Sequence, residues 1–290
     1  MSAKGRAYLT ARANWQPDGW QKAPTDLIRD HPLAAHGLNQ SDDLAVFLTT
    51  PREYPVPEKI VASPWYRCVQ TAAPLALKLK KQIHLDHGPA EWYSHAAPET
   101  GLHPRPIEEG AASMSKHFPP GLINEEYTST VYPSRRGESL REVHDRLDLF
   151  AKTFVRRMDE EGVRSVVIFA HAATVIALGR ALTGDPKREV TAACACTSLY
   201  KRIGMGDHFE QIWNGRTDYL PLGLERDWSV GLPLISTHAD EQFDAVELEN
   251  GEVVDDEGDM EEHSPEDELP VGLGPGMEKF APKTRVVSRL

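Results

Sequence analysis

The sequence is short of several things, and each shortage narrows what its 290 residues can be. No run approaches the roughly 20 consecutive apolar residues of a membrane-crossing helix. The opening MSAKGRAYLTARANW holds no hydrophobic stretch of the kind a secretory signal needs. A soluble cytoplasmic or nuclear protein with no membrane partner is expected. Cysteine is scarce: Cys68 stands alone, and Cys194 and Cys196 take alternate positions of one expected strand. That pattern excludes a disulfide scaffold or a zinc site and fits buried small residues in a reducing compartment. No metal and no cofactor is expected. Positive charge is missing from one long stretch, because no Lys or Arg occurs between Asp227 and Glu278. From Ser236 to Leu290 there are 16 acidic and 4 basic residues, so this end carries the whole net charge of −12. Residues 1–235 are therefore expected to form a neutral folded domain, and residues 236–290 an acidic tail that cannot offset its own ordering entropy. Such a tail repels phosphates, and no direct nucleic-acid binding is expected of it.

What is present centres on VRSVVIFAHAATVIALGRALTG, residues 163–184. Val166 to Ala170 read as a strand buried on both faces. Thr174, Ala177, Leu178, Ala181 and Leu182 then repeat at helical spacing, and Gly184 supplies the stop. His171 sits at the turn between them, where open α/β sheets bind ligands and a helix N-terminus favours phosphate. A histidine hydrogen-bonded at a strand end is an equally simple reading.

Before this segment, Arg6–Thr10 read as a first, central strand, and Lys59–Ala62 and Ile83–Leu85 as two more. Between the first two, Pro32 and Gly37 bracket a turn into a helix on which Leu38, Leu44, Phe47 and Leu48 share a buried face. Ser63-Pro64 is a helix start, with Ser63 as cap, leading into an amphipathic segment through Val69, Ala72, Ala76 and Leu79 that Pro74 should kink. Arg67 falls in its first turn, where a guanidinium can fork onto phosphate oxygens or pair with an acidic neighbour. Glu91 lies beside Trp92 and Tyr93, and apolar neighbours are one way to raise a carboxyl pKa toward general-acid duty; a carboxylate exposed at the surface is an equal reading of this segment. Residues 94–136 read as a long irregular insertion. Ser139 and Glu142 form a capping box for a helix through Leu140, Val143, Leu147, Phe150, Phe154 and Met158. Glu189–Ile203 read as one long strand or a strand pair, and Phe209–Trp213 as another, with Asn214-Gly215 as a hairpin turn. The alternation predicts an α/β fold with a mixed, mainly parallel central sheet and helices on both faces.

SPWYRCVQTAAPLA, the E-W-Y triplet, GESLREVHDR and FAHAATVIALGRALTG, in this order, resemble the histidine phosphatase superfamily with its phosphoglycerate-mutase-like fold, over residues 6–234. The likeness is nearest to the fungal branch that includes a small phosphatase-like subunit of the RNA polymerase III factor TFIIIC. It implies that Arg67 and His171 hold phosphate, that Glu91 donates a proton to the leaving group, and that the ligand is phosphate or a phosphate ester. It also implies a protein-complex partner. Members of the family carry Arg-His-Gly directly after the first strand, the histidine being the nucleophile that becomes phosphorylated.

That triplet is missing. The chain reads Tyr8-Leu9-Thr10-Ala11-Arg12-Ala13-Asn14-Trp15, and no histidine precedes His31. Either Arg12 stands for the motif's arginine, as a third phosphate ligand, with Ala13 in place of the nucleophile, or three residues are lost between Thr10 and Ala11. The first case gives a silent binder or assembly subunit, the second an active phosphomonoesterase whose gene model lacks a triplet. His31 and His36, remote loop residues, are not expected to reach an in-line position. The terminal Ser288-Arg289-Leu290 is similar to a peroxisomal address. A fluorescent fusion at the N-terminus, with and without Leu290, checks that address: punctate signal lost with Leu290 supports it, and diffuse signal in both forms removes it.

Overall fold

A computed structural model describes residues 7–12, 23–50, 54–96, 101–204, 206–228 and 269–282. Its elements in chain order are β1 (Ala7–Arg12), α1 (Ala35–Thr49), β2 (Lys59–Ala62), α2 (Tyr66–Leu79), β3 (Ile83–Leu85), α3 (Ala112–Ser115) and β4 (Val131–Tyr132). These are followed by α4 (Leu140–Glu160), β5 (Ser165–Ala170), α5 (Ala172–Thr183), β6 (Thr197–Arg202), β7 (Phe209–Arg216), β8 (Gly272–Leu273) and a 3-10 turn at Glu278–Phe280. One sheet runs in the order β3-β2-β5-β1-β6-β7, its first four strands parallel, β6 antiparallel to β1 and β7 antiparallel to β6. The fold is the expected α/β arrangement, with a mixed, mainly parallel sheet.

β5 shows why an unbroken apolar run makes a central strand: all six of its residues are buried. Val167 and Phe169 pack with Leu44 and Leu48 of α1 and Val69 and Ala72 of α2. Val166 and Ile168 face the other way, onto Leu147 and Phe150 of α4 and Ala177 and Leu178 of α5. Helices cover both faces, so each side of the pleat meets an apolar helix stripe. The Ser139–Glu142 capping box is formed, and α4 is the longest element. At the sheet's β3 edge, Ile83 N–H donates to Leu122 O at 2.8 Å and Asn124 N–H to Ile83 O at 2.9 Å, so the irregular insertion closes an edge that would otherwise stand open.

Several expectations are corrected. Leu38 is 41% exposed, because α1 starts at Ala35 and turns that residue outward. Helix α2 begins at Tyr66, not at Pro64, and its cap is remote: Asp30 Oδ1 accepts the Tyr66 N–H at 2.8 Å. Residues 189–196 form no strand; Cys194 and Cys196 lie buried as thiols in a turn around Ala195, whose φ is +52°. Asn214-Gly215 is not a hairpin turn either. Both residues lie inside β7 opposite Ser198, between the pairs Thr197–Arg216 and Leu199–Trp213, and make a bulge. Gly215 has φ +60°, and a Cβ there would stand 2.3 Å from Thr191.

The acidic tail is corrected in one part. Residues 269–282, PVGLGPGMEKFAP with the preceding leucine, pack on the domain through apolar side chains. β8 pairs antiparallel with β4, Met277 and Phe280 are buried, Arg105 donates to Pro270 O at 2.9 Å, and Arg156 donates to Ala281 O at 2.7 Å. Averaged over 55 residues, the charge conceals this short apolar strap. Residues 236–268 and 283–290, including Ser288-Arg289-Leu290, lie outside the described residues. Phe280→Ala should cost about 1.5–3 kcal/mol of urea-unfolding stability, the worth of one buried aromatic side chain. An unchanged unfolding midpoint would show that the strap is not packed.

Candidate phosphate site

Three strands end at the site. β2 and β5 pair through Ala62 and Phe169, and the Ser63 N–H continues the ladder to Phe169 O at 2.8 Å, so Ser63 and His171 leave the sheet side by side. Asp86 N–H donates to Ala62 O at 2.9 Å and starts the loop from β3 to Glu91. Arg67 comes from the first turn of α2. β1 connects leftward through α1 to β2, whereas β5 connects rightward to β6, so the chain changes direction between β5 and β1. Crevices at such points, outside the carboxyl ends of strands, bind ligands.

Arg67, Glu91 and His171 do come together. Arg67 Nη2 lies 2.9 Å from Glu91 Oε2 and 3.1 Å from His171 Nδ1, and His171 Nδ1 lies 3.0 Å from Glu91 Oε2. Ser63 Oγ meets His171 Nε2 at 2.8 Å. Ser63 thus serves the histidine instead of capping α2. With a proton on Nδ1 the ring donates to the Glu91 carboxylate; without one, Nδ1 accepts from Arg67, which can only donate. Burial alone would raise the Glu91 pKa, but His171 and Arg67 outweigh it and hold it at about 2. This reverses the expectation from its aromatic neighbours: Glu91 is a carboxylate here. Burial would discharge Arg67, and Glu91 keeps it charged.

The three groups touch one another instead of ringing a hollow. Beside Glu91 lies a water-sized cavity of about 20 Å³, bordered by Trp65, His87, Tyr93, His103 and Arg105. Cys68 Sγ is 3.5 Å from His171 Nε2, and burial pushes its thiol up to about 12. His36 is committed elsewhere, 2.8 Å from Glu225. Arg12 ends β1 opposite Ala170, one residue before His171; its side chain and Ala13 lie outside what the structure describes.

Sequence reasoning missed the groups that hold the Glu91 loop. Arg146 Nε and Nη2 fork onto Glu138 at 2.6 and 2.7 Å, and Nη1 donates to Gly88 O at 2.6 Å and Ala90 O at 3.2 Å. Glu138 N–H donates to Tyr93 O, and Trp92 Nε1 donates to Glu138 O at 2.7 Å. Glu91 is therefore gripped on both flanks by one buried ion pair. Asp86, fully buried, accepts from Gly88 N–H, Thr130 and Tyr127. The only hint in the sequence is that Glu138 and Arg146, eight apart, flank the start of the capped helix.

With this geometry and fold, the profile of the histidine phosphatase superfamily (branch 1) matches residues 20–207, and the chain belongs to that family. The match begins at residue 20, after the end of β1. Among individual proteins, the chain is 36% identical over 176 residues to the transcription factor tau 55 kDa subunit of Saccharomyces cerevisiae. The aligned region is 60% of this chain and 39% of that protein, so the chain spans about two fifths of the relative's length. The solved ecdysone phosphate phosphatase of Bombix mori, bound to tungstate, superposes with a TM-score of 0.52 at 16% identity, over 72% of this chain and 93% of that one. At that identity the likeness concerns the fold.

The histidines behind the site set an acid limit. His87 Nε2–H donates to Pro106 O at 2.9 Å, and its Nδ1 accepts from Ser129 Oγ at 2.8 Å; burial, then Arg105 and Arg146, lower its pKa to about 3. Burial and then Lys59 lower His84 to about 4. Folded values below the ordinary 6.5 mean that the unfolded chain takes up protons first. Their stability is full above that value and falls as pH drops toward 4, by up to about 1.4 kcal/mol per pH unit for each group. Urea titrations at stepped pH should show this loss in the native chain and a shallower one in His87→Gln; identical slopes would refute the buried neutral histidine.

Proposed function

We propose that this chain is a phosphate-ester-binding member of the histidine phosphatase family that does not turn its ligand over, and that it serves as an assembly subunit of a TFIIIC-like transcription factor. One observation carries the first half. β1 runs unbroken to Arg12, paired with Ala170, and the next residue in sequence is an alanine, so the residue that follows the strand carries no imidazole. Arg67 and His171 supply charge for an oxyanion, Arg12 is the third candidate ligand, and Glu91 is the acid the family would use. Without a nucleophile, those groups bind and stop there. The second half rests on the yeast relative, whose name makes it a transcription factor subunit. That role places the chain in the nucleus, in a complex, with the peroxisomal tripeptide as the competing address.

A working phosphomonoesterase remains the second reading, favoured by Arg12, Asn14 and Trp15, which fit the residues that follow the triplet in the fungal branch. No described helix is long and apolar enough to cross a membrane.

The purified chain should bind orthophosphate, lose that binding in Arg67→Ala, and leave p-nitrophenyl phosphate intact at neutral and mildly acidic pH. Hydrolysis that disappears in His171→Ala would overturn the silent reading. Inserting Arg-His-Gly after Thr10 separates the two: turnover gained by the insertion favours a lost triplet, and an inert insertion variant removes the enzyme reading's main support.

A further inference from the structure

On the reading above, Arg67 and His171 are the groups that hold an oxyanion, and in this structure they already hold one. A single oxygen, Glu91 Oε2, bridges Arg67 Nη2 at 2.9 Å and His171 Nδ1 at 3.0 Å. A phosphoryl oxygen would use the same two donors in the same way. The other carboxylate oxygen accepts the Trp92 backbone N–H at 3.2 Å, so the anion is anchored to its own loop. Exposure ranks the three: the Arg67 and His171 side chains are 5% and 3% exposed, the Glu91 side chain 25%. Glu91 is thus the outermost member and the one with room to move. Among the described residues, it closes the cationic pair from the solvent side.

We infer that Glu91 is the pocket's internal anion: its carboxylate occupies the oxyanion position on Arg67 and His171, and a phosphate group enters only by displacing it. This rests on the phosphate-binding reading and deepens it. Two anions cannot share one pair of donors, so the apparent affinity for phosphate is the intrinsic affinity scaled by the fraction of molecules whose Glu91 has swung away. The same carboxylate that offsets the burial of Arg67 and His171 when the pocket is empty limits what the pocket will hold. A side chain assigned to proton donation in the family would, in a chain without a nucleophile, act as a gate.

Isothermal titration of the full chain with orthophosphate tests this, using Glu91→Gln, which keeps the shape and removes the charge. Glu91→Asp, which keeps the charge and shortens the reach, carries the test if the first variant does not fold, and thermal unfolding reports folding for each. The expected result is at least about tenfold tighter binding in Glu91→Gln, as for an open fraction near one tenth in the native chain, and a smaller gain in Glu91→Asp. Native binding that is unchanged or weakened in folded variants overturns the gate and leaves phosphate binding standing. No binding by native chain or variants overturns the phosphate reading and the gate with it.

Discussion

The chain's functional geometry depends on one desolvated charge cluster. A guanidinium, an imidazole and a carboxylate, all within about hydrogen-bonding distance, meet where β2, β3 and β5 end. Separately, each would be costly to bury; removing one partner would leave the others uncompensated. The sheet order makes the meeting possible. β2 lies between β3 and β5, so the Ser63, Glu91 and His171 segments emerge next to one another although 108 residues separate the first from the last. The strand ends set the positions, and charge complementarity fixes the side chains.

A second polar layer keeps the Glu91 loop in place. The Glu138–Arg146 pair, the saturated Asp86 carboxylate and the neutral His87 each tie the loop after β3 to the insertion or to α4. None of these side chains reaches the Arg67–His171 pair in the contacts seen; they hold the backbone that carries Glu91. The strap at 269–282 adds a clamp from the far end of the sequence, through Arg105 and Arg156. A loop with no regular structure is thereby tied to its surroundings by hydrogen bonds that the insertion and α4 supply in place of a ladder.

Much of this was legible in the sequence where period and composition act locally. The buried strands at 59–62, 83–85 and 165–170, the capped α4 and the turn that presents His171 all follow from apolar runs, helical spacing and a capping box. What failed depends on distant partners. Asn214-Gly215 has the composition of a hairpin turn and becomes a bulge because Thr191 packs against the glycine. Ser63 looks like a cap and turns to a histidine because Asp30 caps the helix from elsewhere. Glu91 sits among aromatics, yet its ionisation is set by two cations that only the fold brings near. The apolar strap was hidden in an acidic stretch because charge was averaged over a window longer than the element itself.

In the proposed gate, Arg67 and His171 form an oxyanion seat that Glu91 fills until phosphate displaces it. Crystals of the full chain grown with and without orthophosphate address it in one comparison. Such a gate gives a phosphate on Arg67 and His171 with the Glu91 carboxylate withdrawn, and Glu91 back on both groups when phosphate is omitted. Phosphate bound elsewhere, with Glu91 still bridging the two cations, would contradict it.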